Sequence, residues 1–123
     1  MENLELKRNQ IVFVRNRIGH DADTHAMRGD HYAVIVQCDP ANTYSDSIIV
    51  AFLSSSVSRL DLKSNILIQF YNGLKHASVI KCSQLATVDR TDIVKIVDTL
   101  RPEDITRLNF GLTASLQLAD KNL

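Results

Sequence analysis

Short apolar runs rich in β-branched residues alternate with polar segments through the first three quarters of the chain. Gln10–Val14 (QIVFV) is compact and predicts a first strand. Arg15–Asp30 has no apolar period and contains Gly19 and Gly29, so it reads as a loop. About sixteen residues is long for a connection, and loops of that length tend to be functional or disordered. Tyr32–Cys38 predicts a second strand, and Asp39-Pro40-Ala41-Asn42 a turn, since Pro fixes φ and Asp and Asn bond local backbone. Ser47–Leu53 (SIIVAFL) is apolar enough for a third strand buried on both faces, and three serines follow it. Asn65–Tyr71 predicts a fourth strand, Asn72-Gly73 a turn, and Ser78–Lys81 and Leu85–Asp89 two further short strands.

The period then changes. Between Arg90 and Leu100 the positions of Ile93, Val94, Ile96, Val97 and Leu100 fit a short helix, a strand, or one after the other. Pro102 suits the first position of a helix, and Glu103 and Asp104 complement the dipole of its first turn. Ile105, Leu108, Leu112, Leu116 and Ala119 recur at spacings of three and four, which predicts an amphipathic helix over about 102–119. Gly111 weakens that helix by about 1 kcal/mol against Ala. Five to seven short, mostly antiparallel strands and a terminal helix predict a mainly β (α+β) fold: a small, strongly bent sheet or barrel with the helix laid on it.

Composition narrows the function classes. The 123 residues suffice for a single domain, read as 1–123, with 1–8 a flexible N-terminus. Acidic and basic residues balance at 14 each, which argues against a strongly basic protein that coats nucleic acid nonspecifically, though not against a local basic groove. No run reaches the ~18 apolar residues of a membrane span, and the charged start MENLELKRNQ is unlike a signal peptide, so a cytoplasmic protein is expected. Cys38 and Cys82 both sit in strand-like apolar surroundings and read as buried free thiols. No spaced Cys/His pattern suggests zinc, and no metal or cofactor is expected.

The order of the pieces carries a resemblance. Gly29-Asp30-His31-Tyr32-Ala33-Val34-Ile35-Val36-Gln37-Cys38-Asp39-Pro40-Ala41-Asn42 follows a strand-opening pattern G-x-R-P-x-x-V-x-Q-N-D-x-x-N, with Gly29, Val34, Gln37, Asp39 and Asn42 in register. Ile49–Ser54 resembles a third strand ending in a functional Thr or Ser. Tyr71–Ile80 is similar to Y-G-L-x-x-x-S-V-I, Ser83–Asp89 to E-Q-I-x-T-I-D, and the segment ending Ser115-Leu116-Gln117-Leu118 to A-x-x-x-S-L-x-L. In these segments, from about residue 9 to 118, the chain resembles the MazF/PemK family of toxins from bacterial toxin–antitoxin pairs.

That resemblance implies an SH3-like barrel, a homodimer, and an antitoxin that occupies the RNA groove. It also implies a metal-independent endonuclease (an mRNA interferase) acting on single-stranded RNA. In that reaction the ribose 2′-OH attacks the adjacent phosphate and leaves a cyclic phosphate and a 5′-OH end. Carried over by position, the catalytic candidates are His31, which stands where the family has an arginine, and Ser54. Such cleavage needs a base, an acid, and a donor or cation for the phosphorane charge. Arginine stabilises charge but stays protonated, whereas histidine as a residue type exchanges protons near neutral pH. Arg28, three residues before His31, is a candidate to restore the positive charge.

Ser54 can donate a hydrogen bond to a nonbridging phosphate oxygen, and Ser55 is its substitute if the register slips by one. Gln84 can contact RNA or satisfy a buried backbone group. Arg15, Arg17, His20, His25 and Arg28 are candidate RNA contacts on the long loop, weighed against a merely solvated loop. His20, Asp21, Asp23 and His25 mimic a metal cluster but match no firm spacing. Tyr44 and Tyr71 suit base stacking or, more commonly, packing. The replacement of Arg by His31 keeps two alternatives open. One is a nonenzymatic member of the same barrel class that binds a protein partner, as gyrase-directed toxins do. The other is a catalytically weak or silent relative that binds protein or nucleic acid.

Overall fold

The computed structural model describes residues 4–15 and 29–118. Among the described residues six strands, all paired antiparallel, form one sheet in the order β4-β5-β3-β2-β1-β6. The strands are β1 (Gln10–Val14), β2 (His31–Ile35), β3 (Ser47–Ser54), β4 (Asn65–Ile68), β5 (Ser78–Asp89) and β6 (Ile93–Thr99). The helices are α1 (Asp39–Tyr44) and α2 (Pro102–Leu116). The mainly β fold with a terminal helix is thus as expected, but the sheet is not closed by pairing between β4 and β6.

Connection length dictates the curl of this sheet. β5 and β6 stand four places apart in the strand order, roughly 19 Å along a flat sheet. Only the 3-10 turn Arg90–Asp92 joins them. The sheet therefore coils until the two meet. Backbone bonds clamp the turn from both sides: the Arg90 N–H donates to the Asp46 carbonyl at 2.8 Å, and the Arg15 N–H to the Asp92 carbonyl at 2.7 Å.

Alternation along the strands sends apolar side chains to both faces. On the inner face Val12, Val14, Ala33, Ile35, Val50 and Phe52 form one buried cluster with Ile93. Leu6 is buried in the same cluster, with Leu4 packed against it. On the other face Ile11, Val34, Ala51, Leu53, Ile66 and Ile80 pack beneath α2 with Leu108 and Leu112. Central β3 is buried on both faces except at Ile49 and its ends, as its apolar run predicts.

Several elements differ from the sequence reading, each for a physical reason. β2 ends at Ile35, so Cys38 lies in the approach to α1 and is exposed rather than buried. Cys82 is buried, and burial pushes its thiol up to about 11. The predicted turn at Asp39 is the first turn of α1, because Pro in an early position and Asn42 bonding back to the Cys38 carbonyl also begin a helix. Ser78–Asp89 is one strand, not two. The ambiguous stretch resolves into the 3-10 turn and β6. α2 ends at Leu116, with Gln117 in the left-handed region as its cap; Ala119 lies outside the described residues. At Gly111 a Cβ would stand 3.0 Å from Cys82 Sγ and Ile66 Cδ1, so the helix gives up propensity for close approach to the sheet.

A polar knot fastens α2 to the β4–β5 connection. The Tyr71 hydroxyl donates to Asp104 Oδ2 at 2.6 Å and accepts the Arg101 N–H at 2.8 Å. Arg107 Nη1 donates to Asp104 Oδ1 at 2.9 Å and to the Leu67 carbonyl at 2.6 Å. Arg101 lies 4.0 Å from the Tyr71 ring centre and donates to the Gln69 and Phe70 carbonyls at 2.7 and 3.0 Å. The next turn is equally specified: Gly73 has φ +79, and a Cβ there would meet Val97 Cγ1 at 2.3 Å.

Two outcomes follow from this packing. Gly73→Ala should destabilise the protein by roughly 1–3 kcal/mol in chemical denaturation, since the substitution meets both strain and a clash. Burial, with the Asp104 carboxylate beside it, pushes the Tyr71 phenol up to about 12 from an ordinary 10.0. A raised folded value means that its contribution to stability is intact below about pH 10 and fades as pH climbs toward 12. Phenolate absorbance should show a component near pH 12 that Tyr71→Phe removes.

Candidate functional site

Strand register builds the site. β2 and β3 pair as Ala33↔Phe52, Val34↔Ala51 and Ile35↔Val50. The β2–β3 pairs end there; His31 lies two residues before Ala33 and Ser54 two residues after Phe52, so both leave the same end of the two strands. Val14 lies across from His31, Ile93 from Val14, Val79 from Ser54, and Leu67 from Val79. Two half-rows result, Ile93–Val14–His31 and Ser54–Val79–Leu67, and the polar members that end them, His31 and Ser54, share one mouth of the sheet.

Each of the two has a local reason for its position. His31 opens β2 and is half-buried, its ring edge-on to Phe52 with centroids 6.1 Å apart. Phe52 is itself buried, so it fixes one side of the imidazole. Ser54 closes β3, where the strand leaves the core, and its Oγ accepts the Ser56 N–H at 3.1 Å. That bond leaves the hydroxyl proton available to donate. Ser55 falls one residue beyond the strand and is exposed.

The other candidates separate. Arg15 directly follows Val14, but its guanidinium donates to the Thr91 carbonyl at 3.2 Å and stands 3.5 Å from the buried Asp92 carboxylate. It braces the turn into β6. Gln84 is half-buried and sits where β5 carries Lys81–Gln84 against Phe52 alone, between the pairs Ile80↔Leu53 and Leu85↔Ala51. That bulge lies off both half-rows. Arg17, His20, His25 and Arg28 lie outside the described residues, as do Asp21 and Asp23 of the metal-like cluster. Tyr71 is buried in the core, and Tyr44 is 86% exposed.

The motif residues Gln37, Asp39 and Asn42 prove architectural. Gln37 Nε2 donates to Asn42 Oδ1 and the Ser47 carbonyl, while its Oε1 accepts the Ile49 N–H. Buried Asn42 donates to the Gln37 carbonyl and to Asp39. The Arg8 backbone N–H, helped by the Asn42 side chain, holds the Asp39 carboxyl below its ordinary range. Arg90 adds bonds to the Ser45 and Asn42 carbonyls. Neither Asp92 nor the Tyr71–Asp104 pair was singled out by sequence reasoning. An acid in the first turn of a helix is explained by the dipole alone, which hides its second use.

This curled antiparallel sheet, with polar groups at the mouths of its central strands and α2 across its other face, defines a small mainly β domain. The sequence pattern of PemK-like, MazF-like toxins of type II toxin–antitoxin systems matches residues 7–116, and the chain belongs to that family. Solved structures agree in fold. The Mycobacterium tuberculosis toxin MazF-mt6 superposes with a TM-score of 0.73 at 15% identity, covering 89% of this chain and 98% of that one. MazF from Deinococcus radiodurans gives 0.76 at 10% identity, covering 93% and 98%. An endoribonuclease from a mycobacterial species, solved in complex with its cognate antitoxin, gives 0.72 at 13% identity, covering 93% and 97%. No curated protein sequence matches the chain.

Proposed function

We propose that this chain is the endoribonuclease toxin of a toxin–antitoxin pair, cutting single-stranded RNA by 2′-OH attack on the adjacent phosphate. The observation that supports the proposal is that His31 and Ser54, the polar ends of apolar β2 and β3, leave the same mouth of the sheet, with the His31 ring against Phe52. In this reading the His31 imidazole exchanges a proton with the 2′-OH or the leaving 5′ oxygen. Ser54 donates to a nonbridging oxygen as charge develops on the phosphorane. Arg28, three residues before His31, supplies the positive charge that the replaced arginine would have carried, and Arg17, His20 and His25 touch RNA from the long loop, which flanks the substrate groove in the family. The reaction requires no metal, and the cytoplasm, where mRNA lies, is its place of action.

Two partners belong to the same proposal. An antitoxin neutralises the chain by covering the RNA groove, by analogy with the mycobacterial complex. A second copy forms a homodimer. An apolar groove between the end of α2 and the sheet, lined by Val36, Ile49, Leu85, Leu112 and Leu116, offers a surface for it, with Ile49 39% and Leu116 50% exposed.

The decisive experiment incubates purified protein with long mixed-sequence RNA in chelator and identifies the ends produced. Cleavage leaving cyclic phosphate and 5′-OH ends is expected. His31→Ala and Ser54→Ala should each lower the rate about 100-fold or more while circular dichroism stays unchanged. A second reading follows from the histidine at an arginine position: a silent relative that binds RNA or protein. RNA binding without any cleavage would select it and reject catalysis. For the dimer, Ile49→Asp should halve the mass measured by light scattering; an unchanged mass would place the interface elsewhere.

A further inference from the structure

Phe70 is unlike the other large apolar residues at the surface. Its side chain is 86% exposed, and its backbone has φ +65, in the left-handed region that a bulky residue rarely enters. Asn or Gly would occupy that conformation with less strain and less exposed apolar surface, so the turn itself does not explain a phenylalanine. The position is also rigid. Arg101, seated on the Tyr71 ring and paired with buried Asp104, holds the carbonyls of Gln69 and Phe70. The fold therefore presents an aromatic ring from a braced, strained backbone.

Its location suggests what the ring meets. Leu67, three residues earlier, is the β4 member of the half-row that carries Ser54, two strand spacings or about 10 Å away. Phe70 thus lies within a few nucleotides' reach of the proposed scissile phosphate. Its surroundings are polar: Gln69 and Asn72, on either side of Phe70-Tyr71, are exposed, as are Lys75 and His76 on the same connection, and the Asp98 carboxylate accepts the Asn72 N–H at 3.0 Å. A protein-docking patch joins apolar neighbours into a continuous area. An exposed aromatic among amides, with Lys75 and Arg101 on or against the same connection, is the composition of a base-stacking platform beside a phosphate backbone.

We propose that Phe70 stacks on a base of single-stranded RNA flanking the cleavage point and so positions the strand across the mouth that His31 and Ser54 share. This inference rests on the endoribonuclease reading. Its test measures binding of a short randomised RNA, 2′-O-methylated so that it cannot be cut, by fluorescence anisotropy over a range of salt. Phe70→Asn, suited to the left-handed backbone, should keep or raise the melting temperature yet bind about 10-fold more weakly. The slope of affinity against salt should not change, whereas Lys75→Ala should reduce it. Phe70→Trp should retain binding, and Phe70→Leu, apolar but without a π face, should not.

Equal binding by wild type and Phe70→Asn overturns the inference while leaving the endoribonuclease reading intact. So does unchanged RNA binding with an altered oligomeric mass, which would assign Phe70 to a protein contact. Failure of the wild type to bind or cut any RNA removes the functional reading and this inference with it.

Discussion

Central strand β3 constrains the rest of the molecule. It pairs with β2 on one side and β5 on the other, and its interior is buried on both faces save for Ile49. A strand so enclosed has no room for a working polar side chain except at its ends. Ser54 stands at one end, and His31 opens β2 at the same mouth of the sheet. Polar side chains gather at the mouth of the central strands because the middle is fully committed to the core. Phe52, two residues inside Ser54 on the path of the strand, couples the two regions: its ring fills the inner cluster and lies T-shaped against the imidazole.

The sequence disclosed what followed a clean period. β1 and β3 were legible because their apolar runs are uninterrupted, and α2 because Leu108 and Leu112 recur against the sheet. Legibility failed where hydrogen-bond register slips. In β6 the pairing with β1 skips Val97 and Val94, so Ile93 and Ile96 reach the same inner cluster at a spacing of three. A bulged strand then mimics a helix. In β5 the polar break Ser83-Gln84 coincides with the bulge against Phe52, so a single strand reads as two.

The candidate site was legible through family position more than through chemistry. His31 and Ser54 could be named from where they fall, but it is the antiparallel pairing of β2 with β3 that brings them to the same end of the sheet. Arg15 was equally plausible as a loop cation, and its engagement with Asp92 and Thr91 is a tertiary fact that no local pattern encodes. Gln37, Asp39 and Asn42, the most distinctive letters of the motif, turn out to tie α1 to the sheet. The most distinctive letters of the motif thus mark the frame.

Arg107 of α2 and Arg101 at its N-cap have a bearing on how copies of this chain behave at high concentration. β4 is short and lies at the edge of the sheet, where unpaired carbonyls invite a strand from another molecule. Arg107 already occupies the Leu67 carbonyl, and Arg101 those of Gln69 and Phe70. A would-be intruding strand finds these acceptors filled and two cations in its way. The knot that seats the helix also guards the open margin against strand-by-strand aggregation, a liability that a sheet left unclosed would otherwise carry.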